Sequence, residues 1–153
     1  MTDTYAPGEK PHNPPKAKKK AKPYKSTRRA LDVCEERKWI AGLVERRLPH
    51  TFTTVDFLGF ADIIALDDRD GSHAIQACQT DVAAHFATIR DDPKVSVNVA
   101  RWLARGNRLS IWAFRKLKYA RGSKAFRWKL REIRVALVSG AIVFEEVPEV
   151  ATP

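Results

Sequence analysis

Residues 53–81, TTVDFLGFADIIALDDRDGSHAIQACQTD, carry the side chains best placed to do chemistry. Two short apolar runs are joined by a turn, and each is broken by polar residues that a plain core strand does not carry. Asp62 interrupts the first run, Gln76 and Cys78 interrupt the second, and Asp56 stands just upstream. A carboxylate in a buried apolar run costs several kcal/mol unless it is paired, hydrogen-bonded or bound to a cation. Residues facing each other across a hairpin lie about 5 Å apart, and a turn over residues 67–72 sets Asp62 close to Gln76. Oxygen atoms of Asp62, Gln76 and the carbonyl of residue 77, completed by waters, suit a hard cation such as Mg²⁺ or Mn²⁺. Such an ion activates water and steadies phosphate oxygens during hydrolysis. Two structural roles are equally open to Asp62: capping a bulge, or pairing with an arginine.

The elements around this hairpin follow from periodicity. A helix is expected over residues 28–47, capped by Ser26 or Thr27 and stopped by Pro49, with Leu31, Cys34, Ile40, Leu43 and Val44 on its apolar face. Glu45 then falls near the helix C-terminus, the unfavourable end of the macrodipole for a carboxylate. It either pairs with neighbouring arginines in solvent or serves the site. Strands are expected at 50–57, 60–66 and 73–79, the second covered on both faces because Asp62 is its one polar residue. The run from Asp67 to Ser72 is a turn, with Gly71 suited to positive φ. Helices at 81–89 and 93–105 follow, closed by Gly106 and Asn107, with Val95, Val99, Trp102 and Leu103 facing the core. Strands at 108–118 and 125–138 come next, then an edge strand at 141–144. Trp112 and Phe114 are open to three roles, core, stacking platform or interface, and alternation favours the core. Lys116, Lys118, Arg127 and Lys129 form a basic surface. The order is αβββαββ, a mixed α/β domain with its central sheet flanked by helices.

At 153 residues the chain has room for one domain. Lys and Arg number 28 against 18 Asp and Glu, a net charge of +10, which favours a polyanionic partner, nucleic acid before an anionic membrane. Residues 1–25 hold five prolines and seven lysines with almost no large aliphatic residue, and read as a disordered basic tail. Lys16, Lys18, Lys19, Lys20, Lys22, Lys25, Arg28 and Arg29 would track phosphates without reading sequence; a solubilising tail is the other reading. The domain proper spans 26–138, and 139–153 forms an edge strand or acidic tail. Cys34 and Cys78, the two cysteines, lack zinc-site spacing and read as free thiols in a reducing compartment. With no run of about 18 apolar residues and no leader-like N-terminus, the expected location is the cytoplasm.

The order αβββαββ, with GFADIIAL followed after a turn by AIQACQ, resembles the PD-(D/E)XK nuclease superfamily, which includes Holliday-junction resolvases and many restriction enzymes. More narrowly, WIAGLVERR, VDFLGFADIIAL, AIQACQTD and WLARGNRLSIWAFRK are similar to a family of small phage and bacterial proteins, the likeness covering residues 28–134. The resemblance implies a restriction-endonuclease-like fold and a Mg²⁺- or Mn²⁺-dependent DNA endonuclease. It places Asp62 at the metal-binding aspartate, with Ala61 where the motif has proline. Gln76 takes the acidic position and Cys78 the lysine position. Gln is a neutral donor, used there by some restriction enzymes, and Cys lacks the lysine's charge, which Lys94, Lys116 or Lys118 would have to supply. Glu45 or Asp56 would be the second carboxylate, Gln79 and Asp81 would lie near substrate, and the resolvase-like members imply a homodimer. Three functions are thus open: a metal-dependent endonuclease, a nucleic-acid-binding relative that keeps the fold without the chemistry, and an accessory phage protein.

Overall fold

The computed structural model describes residues 25–149. These run α1 (Lys25–Glu36), β1 (Ile40–Leu43), β2 (Arg46–Arg47), β3 (Thr54–Val55), β4 (Ile63–Leu66), β5 (His73–Cys78), α2 (Val82–Asp91), α3 (Pro93–Ala104), β6 (Arg108–Lys118), β7 (Phe126–Val138) and β8 (Ala141–Glu146). The architecture is α/β, with a six-stranded mixed sheet in the order β1-β4-β5-β6-β7-β8 and a separate two-stranded ribbon, β2-β3. β5 and β6 are parallel and the other neighbours antiparallel. A parallel pair needs a crossover, and α2 with α3 supplies it. The expected contacts of Lys16, Lys18, Lys19, Lys20 and Lys22, and the chain end after Glu149, lie outside the described residues.

β5 is buried at all six positions, so both faces of the sheet centre must be covered. On one face Ile63, Ala65, Ile75, Ala77, Trp112 and Phe114 pack under α1 through Ala30 and Cys34. On the other, Ala74, Cys78, Leu109, Ile111 and Ala113 pack against Val95, Val99 and Ile89 of the crossover helices. Trp112 and Phe114 are core residues, the role that alternation favours. The crossover is punctuated as its sequence suggests: Asp92 accepts from Lys94 N and Val95 N, and Pro93 opens α3. Gly71 adopts φ +80, and a Cβ there would stand 2.6 Å from the Gly106 carbonyl oxygen, so only glycine closes this turn.

The segment from residue 37 to 62 departs from expectation. The helix expected over 28–47 ends at Glu36, because Lys38 turns into the left-handed region at φ 62 and Trp39 N–H bonds back to Cys34 O at 2.9 Å. Residues 40–43 then pair with β4 as an edge strand. Ser26 and Thr27 are not caps; both are buried inside α1, and Ser26 Oγ donates to Ala77 O at 3.4 Å. The strand expected at 50–57 shrinks to Thr54–Val55, since His50 is left-handed and residues 48–53 form a turn closed by Leu48 N–H to Thr53 O. Likewise β4 starts only at Ile63, after Leu58 and Gly59 at positive φ and a single bridge between Phe57 and Ala61. Among the described residues no helix is long and apolar enough to cross a membrane.

Candidate metal centre

Asp62 sits one residue before β4. Its N–H still bonds Ile75 O at 3.0 Å, which continues the β4–β5 register and sets Asp62 opposite Gln76. Its carbonyl oxygen accepts from Val44 N–H at 2.8 Å and Glu45 N–H at 3.3 Å. One backbone group therefore ties the β1–β2 connection, with Glu45 on it, to the mouth of the hairpin. The ribbon pairing of Arg46 with Val55 brings Asp56 in from the other side. The oxygen atoms of Glu45, Asp56 and Asp62 lie within 4.8 Å of one another, Asp62 buried and the other two half-buried. Glu45 is thus neither helical nor, among the described residues, paired with an arginine.

Asp62 Oδ2 accepts from Gln76 Nε2 at 2.9 Å and from Ala77 N–H at 2.8 Å. Both donors are neutral, and among the described residues no lysine or arginine is paired with Asp62. Burial, first of all, pushes the Asp62 carboxyl up to about 8; the Ala77 N–H works against it, and Asp56 and Glu45 add to it. Burial and then Asp56 also raise Glu45. Proximity of three carboxylates at a buried position is unfavourable for the chain alone and is what a cation would relieve. Oxygens around Mg²⁺ at its usual bond length lie about 3 to 4 Å apart, so a spread of up to 4.8 Å would have to tighten for the three carboxylates to share one ion. The donor set, three hard oxygens from carboxylates, suits Mg²⁺ or Mn²⁺.

The cluster opens into a cleft of about 680 Å³. Its walls carry four carboxylates, Glu45, Asp56, Asp62 and Asp81, and one guanidinium, that of Arg47. In a chain of net charge +10 this is a local inversion of sign. Cys78, at the position resembling the motif lysine, reaches the cleft wall, but burial pushes its thiol up to about 11 and it stays neutral. Lys94, Lys116 and Lys118 do not line the cleft. The structure gives Gln76 the part of a donor to Asp62 and gathers Glu45 and Asp56 with Asp62 as the oxygen cluster. Gln79 and Asp81 line the same cleft.

Two ionisable side chains of the cleft, Arg47 and His85, were not singled out from the sequence. Arg47 was hidden by the helix expected there. His85 lies on α2, half-buried, where burial lowers its pKa while Asp56 and Asp81 pull the other way. Its signal was present: at helical spacing with Val82, Phe86 and Ile89, it is the polar residue of an inward stripe. The expected nucleic-acid residues fall elsewhere. Lys116, Lys118, Arg127 and Lys129 lie on the β6–β7 hairpin, while Lys25, Arg28 and Arg29 belong to α1, with Arg28 bonded to Asp32 and Arg29 stacked on Trp128 at 3.6 Å. Compared with protein-family models, with curated proteins and with solved structures, the chain matches none.

Proposed function

We propose that this chain is a metal-dependent phosphodiester hydrolase acting on nucleic acid, DNA first, with a restriction-endonuclease-like fold. The observation that carries the reading is the cluster of Glu45, Asp56 and Asp62, set in an acidic cleft of a strongly basic protein. Supporting it, the antiparallel β4–β5 pair puts Asp62 opposite Gln76, and β5 leads through α2 and α3 into parallel β6, consistent with the nuclease-type arrangement. A divalent ion held by the three carboxylates would supply Lewis acidity and a water of lowered pKa. The chain's own residues do the rest. Gln76 and Ala77 N–H fix the Asp62 carboxylate in orientation. Arg47 offers a phosphate oxygen the positive charge that Cys78 cannot. His85, neutral near pH 7, stands ready to accept or return a proton at the cleft wall.

A second reading rests on a specific pair of residues: Gln76 and Cys78 are both neutral where a nuclease of this kind carries charge. In that case the protein binds nucleic acid without cutting it. The two readings separate on incubation with plasmid, linear duplex, single-stranded and four-way-junction DNA in Mg²⁺ or Mn²⁺, beside an Asp62→Ala variant. Cleavage by the parent and none by the variant is the expected result. Cleavage that survives Asp62→Ala, or none by the parent in either metal, overturns the hydrolase.

A further inference from the structure

The hairpin formed by the outer halves of β6 and β7 runs on past the covered part of the sheet. Its register pairs Arg115 with Lys129, Lys116 with Trp128, Leu117 with Arg127 and Lys118 with Phe126. Residues 115–131 hold eight lysines and arginines and no acidic residue, interleaved with Tyr119, Phe126 and Trp128. These three aromatics are 64%, 44% and 39% exposed, although each is large enough to be worth burying. A cation lies over each of the three rings: Arg29 stacks on Trp128 at 3.6 Å, Lys116 sits over Phe126 at 4.4 Å and Arg127 lies 6.0 Å from the Tyr119 centroid. A groove of about 770 Å³ lies beside this arm, and Trp128, Arg115, Lys116, Arg131 and Phe86 of α2 are among the residues that line it. Gln79 and Thr80 line both this groove and the carboxylate cleft, so the two are neighbours.

We propose that the β6–β7 arm binds an unpaired stretch of nucleic acid and delivers its backbone to the carboxylate cleft, with a base stacked on Trp128 and phosphates on Arg115 and Lys116. Charge complementarity selects a polyanion, and the interleaved aromatics select the kind. In a duplex the base faces are already stacked, leaving such rings nothing to cover, whereas unpaired bases offer a π-face to each. Among the described residues Arg115 and Lys116 have no acidic partner, so their charge is available to phosphate. The geometry gives a division of labour: cations and aromatics grip on the arm, and carboxylates act beyond Gln79 and Thr80. The proposal rests on the hydrolase reading for what happens to the strand and not for the gripping.

The test is binding of the full chain to a labelled single-stranded oligonucleotide and to its duplex, in EDTA so that no cutting intervenes. Parent protein should bind the single strand more tightly than the duplex and lose tryptophan fluorescence on binding. Trp128→Ala should weaken single-strand binding about 5- to 100-fold, and Trp128→Phe should keep the affinity while removing the fluorescence change. Arg115→Gln with Lys116→Gln, both at exposed positions, should lower the salt slope by about 1.4 on single strands. Equal affinity for duplex and single strand, or unchanged binding by both Trp128→Ala and the Arg115/Lys116 pair, overturns the arm. Arm-dependent binding without Asp62-dependent cleavage would sustain the arm and sink the hydrolase, and the reverse pattern would do the opposite.

Discussion

Two aspartates bracket β4, Asp62 just before it and Asp67 just after it, and the protein treats them in opposite ways. Asp67 is met by a cation of the chain itself. Arg108 reaches it with both terminal nitrogens, Nη2 to Oδ1 at 2.6 Å, and His73 Nδ1 lies 3.6 Å from Oδ2. The Arg108 hydrogen bonds hold its carboxyl down to about 2. Asp62 receives two neutral donors and two further carboxylates, and is pushed up to about 8. The same residue type, five positions apart, is balanced from within at one end and left in want of a cation at the other. Structural carboxylates are paired; a carboxylate left uncompensated in a cleft is a sign of a ligand or a proton to be handled.

The largest break in this comparison comes from neutralising each aspartate in turn. Asp67→Asn leaves Arg108 without its anion and should cost about 3–5 kcal/mol, the usual penalty for removing one member of a buried pair. Its effect on DNA cleavage should follow only the loss of folded protein. Asp62→Asn should do the reverse, abolishing cleavage while leaving the fold intact. Denaturant melts beside cleavage assays on the same preparations read both, and equal destabilisation by the two variants would show that the bracket is not divided in this way.

Acid sharpens the Asp67 end. His73 is 3% exposed, bonded through Nε2 to Ser110 Oγ at 2.8 Å, and burial lowers its pKa from 6.5 to about 4. A lowered pKa means that the unfolded chain takes up the proton first, so stability is whole above about pH 6.5 and is lost as pH falls towards 4. At about 1.4 kcal/mol per unit the loss is about 3 kcal/mol. Asp67, lowered likewise, adds its own loss between about pH 4 and 2. Unfolding free energies measured across pH 4–7 should show this slope, and His73→Gln should flatten it. A parent that is flat between pH 6.5 and 4 would remove His73 from the account.

How much of this was legible in the sequence divides along the same line. β5, α2, α3, β6 and β7 are long or strongly patterned, and β6 runs over the expected 108–118. The turn at Gly71 fixed the pairing, so Asp62 opposite Gln76 followed from residue counting. The carboxylate cluster followed only in part. Glu45 reaches Asp62 through an edge strand of four residues and a ribbon of two-residue strands, largely exposed and too short for any period to show. Leu43 and Val44 happened to extend the spacing of α1, and the left-handed turn at Lys38 leaves no signature in a lysine. Asp67 was read as a turn residue because its cation, Arg108, is 41 positions away and meets it only across the crossover.

The smallest effect is also the most specific to the cleft. Because the folded pKa of Asp62 is raised from 3.8 to about 8, the metal-free fold is favoured by its protonated form. The penalty for the charged form is absent below about pH 4, grows as pH rises and is complete above about 8. Asp62→Asn carries no such charge, so in EDTA it should be more stable than the parent by about 1–2 kcal/mol at pH 8, in line with other buried charges replaced by neutral groups. Near pH 5 that advantage should shrink towards nothing. Millimolar Mg²⁺ or Mn²⁺ should then raise the melting temperature of the parent, more at pH 8 than at pH 6, because cation and proton compete for the same oxygens. It should leave Asp62→Asn nearly unmoved. A parent that gains nothing from either ion at pH 8 would mean that Glu45, Asp56 and Asp62 settle their repulsion by holding protons, and the contrast with Asp67 would then be one of protonation alone.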